Sequence, residues 1–382
     1  MAKSTYDDSS VLPEAVIWNI LIWVPVKSLM RFKSVCKFWL SIIVDPSFAR
    51  VYQGGFKGLL FIQRFSILSP FNPRDFFYLK VDDDDTRTHI SHHYTLDQHL
   101  RMASTPPVNG LVCFYDGYFS CLYNIATRER MVLPDSDMES AFCVCHFGFD
   151  PSNEVYKVLK TCPSREVFIF TVAVDSSWRS IPFTFDKINL CGSYRTGVLY
   201  WTLPNVCHSE INYSLLCFDL TREEFQVISH PPGKWSYLLP FGPNLALSSS
   251  ESCWSSQFKI ISSKDDGHYI ANGDCGQTSS LTWSEHVIDL PKQSESEKLY
   301  YFRPLGALNG NVVLMDFAAS KWDFPVPFCV YDQAKGELKK RYIADCGSSS
   351  IAKQRIVDHD LQMIDLWYYE ENIMPLSCLV SK

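Results

Sequence analysis

Four consecutive carboxylates, Asp82 to Asp85, followed by His89, His92, His93 and His99, carry the ligand types that hold hard and borderline metal ions. Adjacent carboxylates repel one another and point apart, so the run reads as a solvated loop. Cys143-Val144-Cys145-His146 places two thiols on one face of a strand. They could bind a metal only with ligands brought from elsewhere, and no second Cys/Cys or Cys/His pair stands at ligand spacing. Buried strand thiols are the better reading. For nucleophilic or phosphate chemistry there is no Gly-x-Ser-x-Gly, no His-Glu-x-x-His and no Gly-x-x-x-x-Gly-Lys. Gly54-Gly55-Phe56-Lys57-Gly58 is glycine-rich but follows no strand, and a linker turn explains it. No catalytic residue, metal or cofactor is therefore expected. The remaining candidates are aromatic anchors among turn-formers: Tyr115, Tyr118 and Phe119, then Trp235 and Tyr237, then Trp322 and Phe324. Binding faces use such residues, so they are the candidate target-binding rim, with core packing as the competing reading.

The stretch that must position any partner is at the N-terminus. Residues 1–10 are polar and read as a disordered lead. From Val16 to Val24 only Asn19 is polar, after Pro13 and Glu14 at a helix start and before Pro25, which stops the helix. A helix apolar nearly all round must be covered from several sides, and this one is about half the length of a membrane span. Another protein surface is the expected cover. Beyond Pro25, Leu29, Phe32, Cys36, Trp39 and Ile43 form one helical stripe, flanked by Lys27, Arg31, Lys33 and Lys37.

The pattern Leu12-Pro13, Ile20-Leu21, Val24-Pro25-Val26-Lys27-Ser28-Leu29, Arg31-Phe32, Val35-Cys36-Lys37, Trp39 and Asp45-Pro46-Ser47-Phe48 resembles an F-box of the plant type. The resemblance implies a three-helix unit over residues 11–52 that docks to the Skp-type adaptor of a cullin-based ubiquitin ligase. Carried over position by position, the adaptor-facing residues are Leu12, Pro13, Ile17, Leu21, Pro25, Val26, Leu29, Cys36 and Trp39. Trp18 and Trp23 stand where the family more often has polar or aliphatic residues.

Composition bounds the rest. A chain of 382 residues, 46% hydrophobic and 14% aromatic, can bury a large core. A net charge of −7 argues against nucleic acid as a partner. The polar start carries no secretory signal, and 14 scattered cysteines then favour free buried thiols in a reducing compartment, cytoplasm or nucleus. No membrane partner is expected.

After a short linker, residues 53–58, the texture becomes many-stranded β, with short apolar runs broken by Gly, Pro, Asn, Asp and Ser over 59–382. Two glycines leave that linker some freedom. A repeat is visible as strand, acidic or amide residue, turn and strand, with Asn124, Asp175, Asp219 and Asp332 as register marks. A further copy is expected around Ser280 to Pro291. Units of this size match propeller blades, six or seven in number, with Val357 to Val380 completing the blade begun at Leu59 to Val81; a two-sheet sandwich fits less well. The fold class is thus α+β: a small three-helix unit followed by a large all-β, propeller-like domain.

Asn109-Gly110-Leu111-Val112-Cys113, Phe147-Gly148-Phe149-Asp150-Pro151, Ser177-Trp178-Arg179, Gly197-Val198-Leu199-Tyr200-Trp201 and Cys217-Phe218-Asp219 resemble the F-box-associated domain of plant F-box proteins. Tyr123-Asn124-Ile125 departs from it, where an Asn-Pro pair is usual. The two resemblances together imply a non-catalytic substrate receptor: the helices grip the adaptor and, through it, a cullin, while the β domain presents loops to a protein target. A propeller enzyme and a scaffold that causes no degradation are the competing readings.

Overall fold

The computed structural model describes residues 12–55, 57–64, 75–80, 87–95, 103–116, 119–135, 143–162, 164–184, 192–207, 210–228, 235–241, 244–249, 257–263, 282–289, 302–308, 311–316, 326–332, 335–343 and 363–379. Four short helices come first: α1 (Glu14–Leu21), α2 (Val26–Phe32), α3 (Lys37–Ile43) and α4 (Pro46–Val51). Among the described residues twenty-four strands follow. They are β1 (Lys57–Arg64), β2 (Asp75–Lys80) and β3 (Arg87–Thr95); β4 (Ala103–Ser104), β5 (Leu111–Tyr115), β6 (Ser120–Asn124) and β7 (Arg130–Val132); β8 (Val144–Asp150), β9 (Val155–Thr161), β10 (Val167–Thr171) and β11 (Arg179–Ile181). The chain continues with β12 (Ser193–Arg195), β13 (Val198–Cys207), β14 (Glu210–Asp219) and β15 (Glu224–Ile228); β16 (Trp235–Phe241), β17 (Asn244–Ser249), β18 (Gln257–Ser263) and β19 (Trp283–Asp289); β20 (Phe302–Leu308), β21 (Asn311–Asp316), β22 (Val326–Asp332) and β23 (Glu337–Ile343); and β24 (Met363–Glu370).

Among the described residues these strands make six antiparallel four-stranded blades. Four are consecutive: β4–β7, β8–β11, β12–β15 and β16–β19. The fifth, β20–β23, touches the sixth through a short parallel pairing, Tyr342 and Ile343 of β23 beside Arg87 and Thr88 of β3. That sixth blade is composite: β24 pairs with β1 from Lys57↔Glu370 to Arg64↔Met363, so the C-terminal strand completes the blade that the first β residues begin. The expected closure by Val357 to Val380 is what the chain does.

The continuous apolar runs follow from where the cores lie. Val198 and Tyr200 pack with Cys217, Trp235 and Leu247 toward the next blade, while Leu199 and Trp201 pack with Leu216, Phe218 and Ile169 toward the previous one. A strand covered on both faces needs apolar residues at every position, not every second one. The cores therefore sit between blades.

The repeat marks are turn chemistry. Asn124, Asp219 and Asp332 each end the third strand of a blade, and each side-chain Oδ1 accepts from backbone N–H groups two or three residues on. Four residues after each mark the backbone adopts positive φ, at Arg128 (64°), Glu223 (59°) and Gly336 (68°), and its N–H bonds back to the carbonyl of the mark. Asp175 breaks this register. The residue that ends its third strand is Thr171, and Asp175 stands four positions later, its carboxylate accepting the Thr171 N–H at 2.7 Å. Measured at the equivalent positions Asn124, Thr171 and Asp219, the period is 47 and then 48 residues. The copy expected near Ser280 is β19, the fourth strand of its blade.

Buried charge fastens the β8–β11 blade to the β12–β15 blade. Lys157 donates to the Leu220 carbonyl and to Glu223 Oε1 (2.9 Å) and lies 3.4 Å from Asp150 Oδ2, whose side chain is fully buried. Burial pushes the Asp150 carboxyl up, but bonds from Asn153 and Thr221 and the Lys157 charge overcome it and hold it below the usual carboxylate range. Arg179 closes the network on Glu223 at 2.8 and 2.9 Å. Nearby, Trp201 Nε1–H donates to His146 Nδ1 (3.3 Å); an indole can only donate, so the neutral His146 carries its proton on Nε2, 3.3 Å from Thr161 Oγ1. Burial lowers the His146 pKa to about 3.

Cys113, Cys121, Cys145, Cys217 and Cys329 are buried thiols outside any disulfide, as expected. Cys143 is not: it is disulfide-bonded to Cys162, because Val144 and Thr161 are paired and the next residues outward, Cα 4.4 Å apart, face one another.

Candidate functional site: the N-terminal docking surface

Pro13 caps α1 through its backbone, with Val16 and Ile17 N–H bonding its carbonyl, and Glu14 lies in the first turn. The helix ends at Leu21, earlier than the apolar run suggests. Ile22 to Val24 form a turn, and Pro25 starts the second helix as its N-cap. The stripe read from Leu29 to Ile43 is likewise two helices, broken at Lys33 to Val35; Phe32 and Trp39 meet edge-on across the break, 5.1 Å between ring centres. Cys36 Sγ accepts the Trp39 N–H, and Asp45 accepts the N–H and hydroxyl of Ser47 (2.7 and 2.6 Å) to start α4, a fourth helix where three were expected.

The nine adaptor candidates divide by burial. Ile17, Leu21, Val26 and Leu29 lie in the unit's own core with Ile42, Ile43 and Phe48, joined by Ala126 and Ile373 of the β domain. They hold the unit together and present no surface. Leu12, Pro13, Pro25 and Cys36 are exposed, and Trp39 is half-buried.

What remains exposed is apolar. Among the described residues, nine of the thirteen exposed large apolar side chains fall between Leu12 and Val51, a concentration that scattered surface residues do not give. Leu12 (54% exposed), Val16, Ile20 (50%) and Trp23 (66%) recur every three or four residues, with Val16 and Ile20 on α1 away from its Ile17–Leu21 face and Leu12 and Trp23 just beyond its two ends. Val35, Phe38, Leu40 and Val44 form a second group along α3. Except for Leu12, these positions were missed from sequence, because burial within a 40-residue unit cannot be told from burial by a partner when every face is apolar. Lys27, Arg31 and Lys37 are exposed beside them, whereas Lys33 pairs with Glu129 (3.8 Å) and Arg50 with Glu154 (3.0 Å) of the β domain.

The rim candidates fare differently. Tyr115 and Phe119 flank the β5–β6 connection, half-buried, at the blade end away from the helices; Phe119 N–H bonds Asp116 Oδ1. Trp235 is a correction: it is 7% exposed in the core between two blades, because it opens a strand covered on both sides. Tyr237 lies on β16, paired with Ser248. Tyr118, Trp322 and Phe324 lie outside the described residues, as do Asp82 to Asp85 and His99. His89, His92 and His93 lie on β3. Among the described residues no group of three or more His, Cys, Asp or Glu could hold a metal, and no helix is long and apolar enough to cross a membrane.

A helical unit with an uncovered apolar surface, mounted on a ring of four-stranded blades, defines a protein of two modules. The chain belongs to the F-box associated beta propeller domain family, whose profile matches residues 64–260, and the F-box domain profile matches residues 9–50. Relatives in Arabidopsis thaliana include the F-box/kelch-repeat protein At3g04660 (28% identical; 60% of this chain and 63% of the relative), the putative F-box protein At4g21240 (27%; 62% and 61%) and the putative F-box protein At4g38870 (29%; 91% and 87%). The chain thus spans about three fifths of the length of the first two.

Proposed function

We propose that the protein is the substrate-recognition subunit of an SCF (Skp–cullin–F-box) ubiquitin ligase, acting in the cytoplasm or nucleus on a protein target marked for degradation. The observation that carries this reading is the exposed stripe Leu12, Val16, Ile20 and Trp23, which leaves in water apolar surface that a folded monomer has no reason to keep. Covering the exposed half or so of each such side chain contributes roughly 1 to 2 kcal/mol gross, so the stripe supplies part of the affinity and the second apolar group on α3 adds to it against the cost of association. The basic residues beside it would fix orientation more than affinity. Tyr115 and Phe119, about 13 Å along β5 from the helix-facing turn, would then serve the target.

The chain's own part in ubiquitin transfer is positional. Holding a target lysine close to the loaded enzyme converts an encounter between molecules into one within a complex. No residue of this chain need touch the reacting thioester.

Co-purification with a Skp-type adaptor tests the proposal. Wild type should be retained, and a Leu12→Asp, Pro13→Ala variant, changed only at exposed positions, should be lost. Equal recovery of the two would remove the reading.

A further inference from the structure

We propose that the C-terminal segment Glu371–Leu379 is a clamp that locks the helical unit to the β ring at one angle, with Asn372 and Ile373 as its positioning residues. The clamp stands on geometry alone; what the fixed angle serves rests on the receptor reading.

The segment is inserted into both modules. Ile373, 1% exposed, belongs to the core of the helical unit, while Leu376, 3% exposed, belongs to the core between the β4–β7 and β8–β11 blades. Between these anchors polar contacts fasten the segment to the β4–β7 blade. Asn372 Nδ2 donates to the Asn109 carbonyl (2.7 Å), Asn124 Nδ2 donates to the carbonyls of Asn372 (2.9 Å) and Met374 (3.2 Å), and Leu376 N–H donates to Glu129 Oε2 (2.7 Å). Glu129 in turn faces Lys33, just past α2, and Cys378 lies against the Val44 carbonyl.

The glycines belong to the same device. A Cβ at Gly54 would meet the Val24 carbonyl at 2.5 Å, one at Gly55 would meet the Glu371 carbonyl at 3.0 Å, and one at Gly110 (φ +77°) would meet Asn372 Cβ at 2.5 Å. The linker glycines, expected to give freedom, are where backbone packs on backbone. Gln53 and Gly54 N–H both bond the Ile22 carbonyl, and Tyr52 Oη–H bonds the Val24 carbonyl at 2.6 Å. A single linker would let the modules swing; a linker and a clamp on opposite chain ends do not.

The test uses the full chain and an Asn372→Ala, Ile373→Ala variant. Wild-type X-ray scattering should fit one arrangement of the modules. The variant should need a spread of angles and be cleaved between Tyr52 and Lys57 at least about tenfold faster, with blade melting retained. Wild-type scattering that demands many angles, or a variant indistinguishable from wild type in scattering and cleavage, would overturn the clamp. If the variant does not fold, the wild-type scattering still decides. Failure of wild type to capture adaptor would sink the receptor reading and leave the clamp standing.

Discussion

Asn124 Nδ2 donates a 2.9 Å hydrogen bond to the main-chain carbonyl of Asn372, joining residues 248 apart in sequence. The equivalent turn positions in two other blades are Asp219 and Asp332, whose oxygens do the same capping work. At Asn124 two carbonyls, of Asn372 and Met374, accept from the side chain, which accounts for an amide there. Asn124→Asp keeps the cap but sets a carboxylate against those carbonyls, and should cost about 2 to 4 kcal/mol in a denaturant melt. Asp219→Asn should cost under about 1 kcal/mol by the same measurement. Similar losses for both would refute this account.

Trp23 and Ile20 are half or more exposed, so replacing them should leave the fold alone. Trp23→Asp with Ile20→Asp should leave the melting temperature within a few degrees of wild type and weaken adaptor binding by roughly 30-fold or more. Undiminished affinity in a calorimetric titration would move the docking surface elsewhere, toward the Val35 to Val44 group.

Lys157 is nearly buried and faces a fully buried Asp150 carboxylate. Removing one partner of such a pair strands the other, so Lys157→Met should destabilise by about 3 to 5 kcal/mol. The exposed Arg50–Glu154 pair has no such penalty, and Arg50→Ala should cost at most about 1 kcal/mol. Thermal melts of the two variants rank the two contacts directly.

His146 is buried neutral, with its pKa lowered from 6.5 to about 3. The unfolded chain therefore binds one more proton than the folded chain between those values, and stability falls as pH drops below 6.5. At pH 5 the contribution is about 2 kcal/mol. His146→Asn, which keeps an acceptor for Trp201, should flatten the stability profile between pH 6.5 and 5. An unchanged slope there would place the acid sensitivity in the carboxylates, which titrate lower.

The β architecture was largely legible because blade formation is local: turn residues recur, and strands covered on both faces read as unbroken apolar runs such as Leu215 to Phe218. What sequence hid were relations between distant segments. Asp175 passes for a register mark because an acidic residue can cap the same turn from four positions later. Gly54 and Gly55 look like slack because a missing Cβ signals freedom and close approach alike. In the helical unit the apolar pattern marked helices with more apolar surface than they hide, yet it could not separate Leu21, fully buried, from Ile20, half in water.

The pairing of β24 with β1 sets an order on manufacture. Until β24 and Ile373 have been synthesised, β1 lacks its β24 neighbour and the helices lack one core residue, so a nascent chain can hold finished middle blades but neither a sealed ring nor a seated head. A premature stop anywhere before Met363 therefore yields a product with both ends undone.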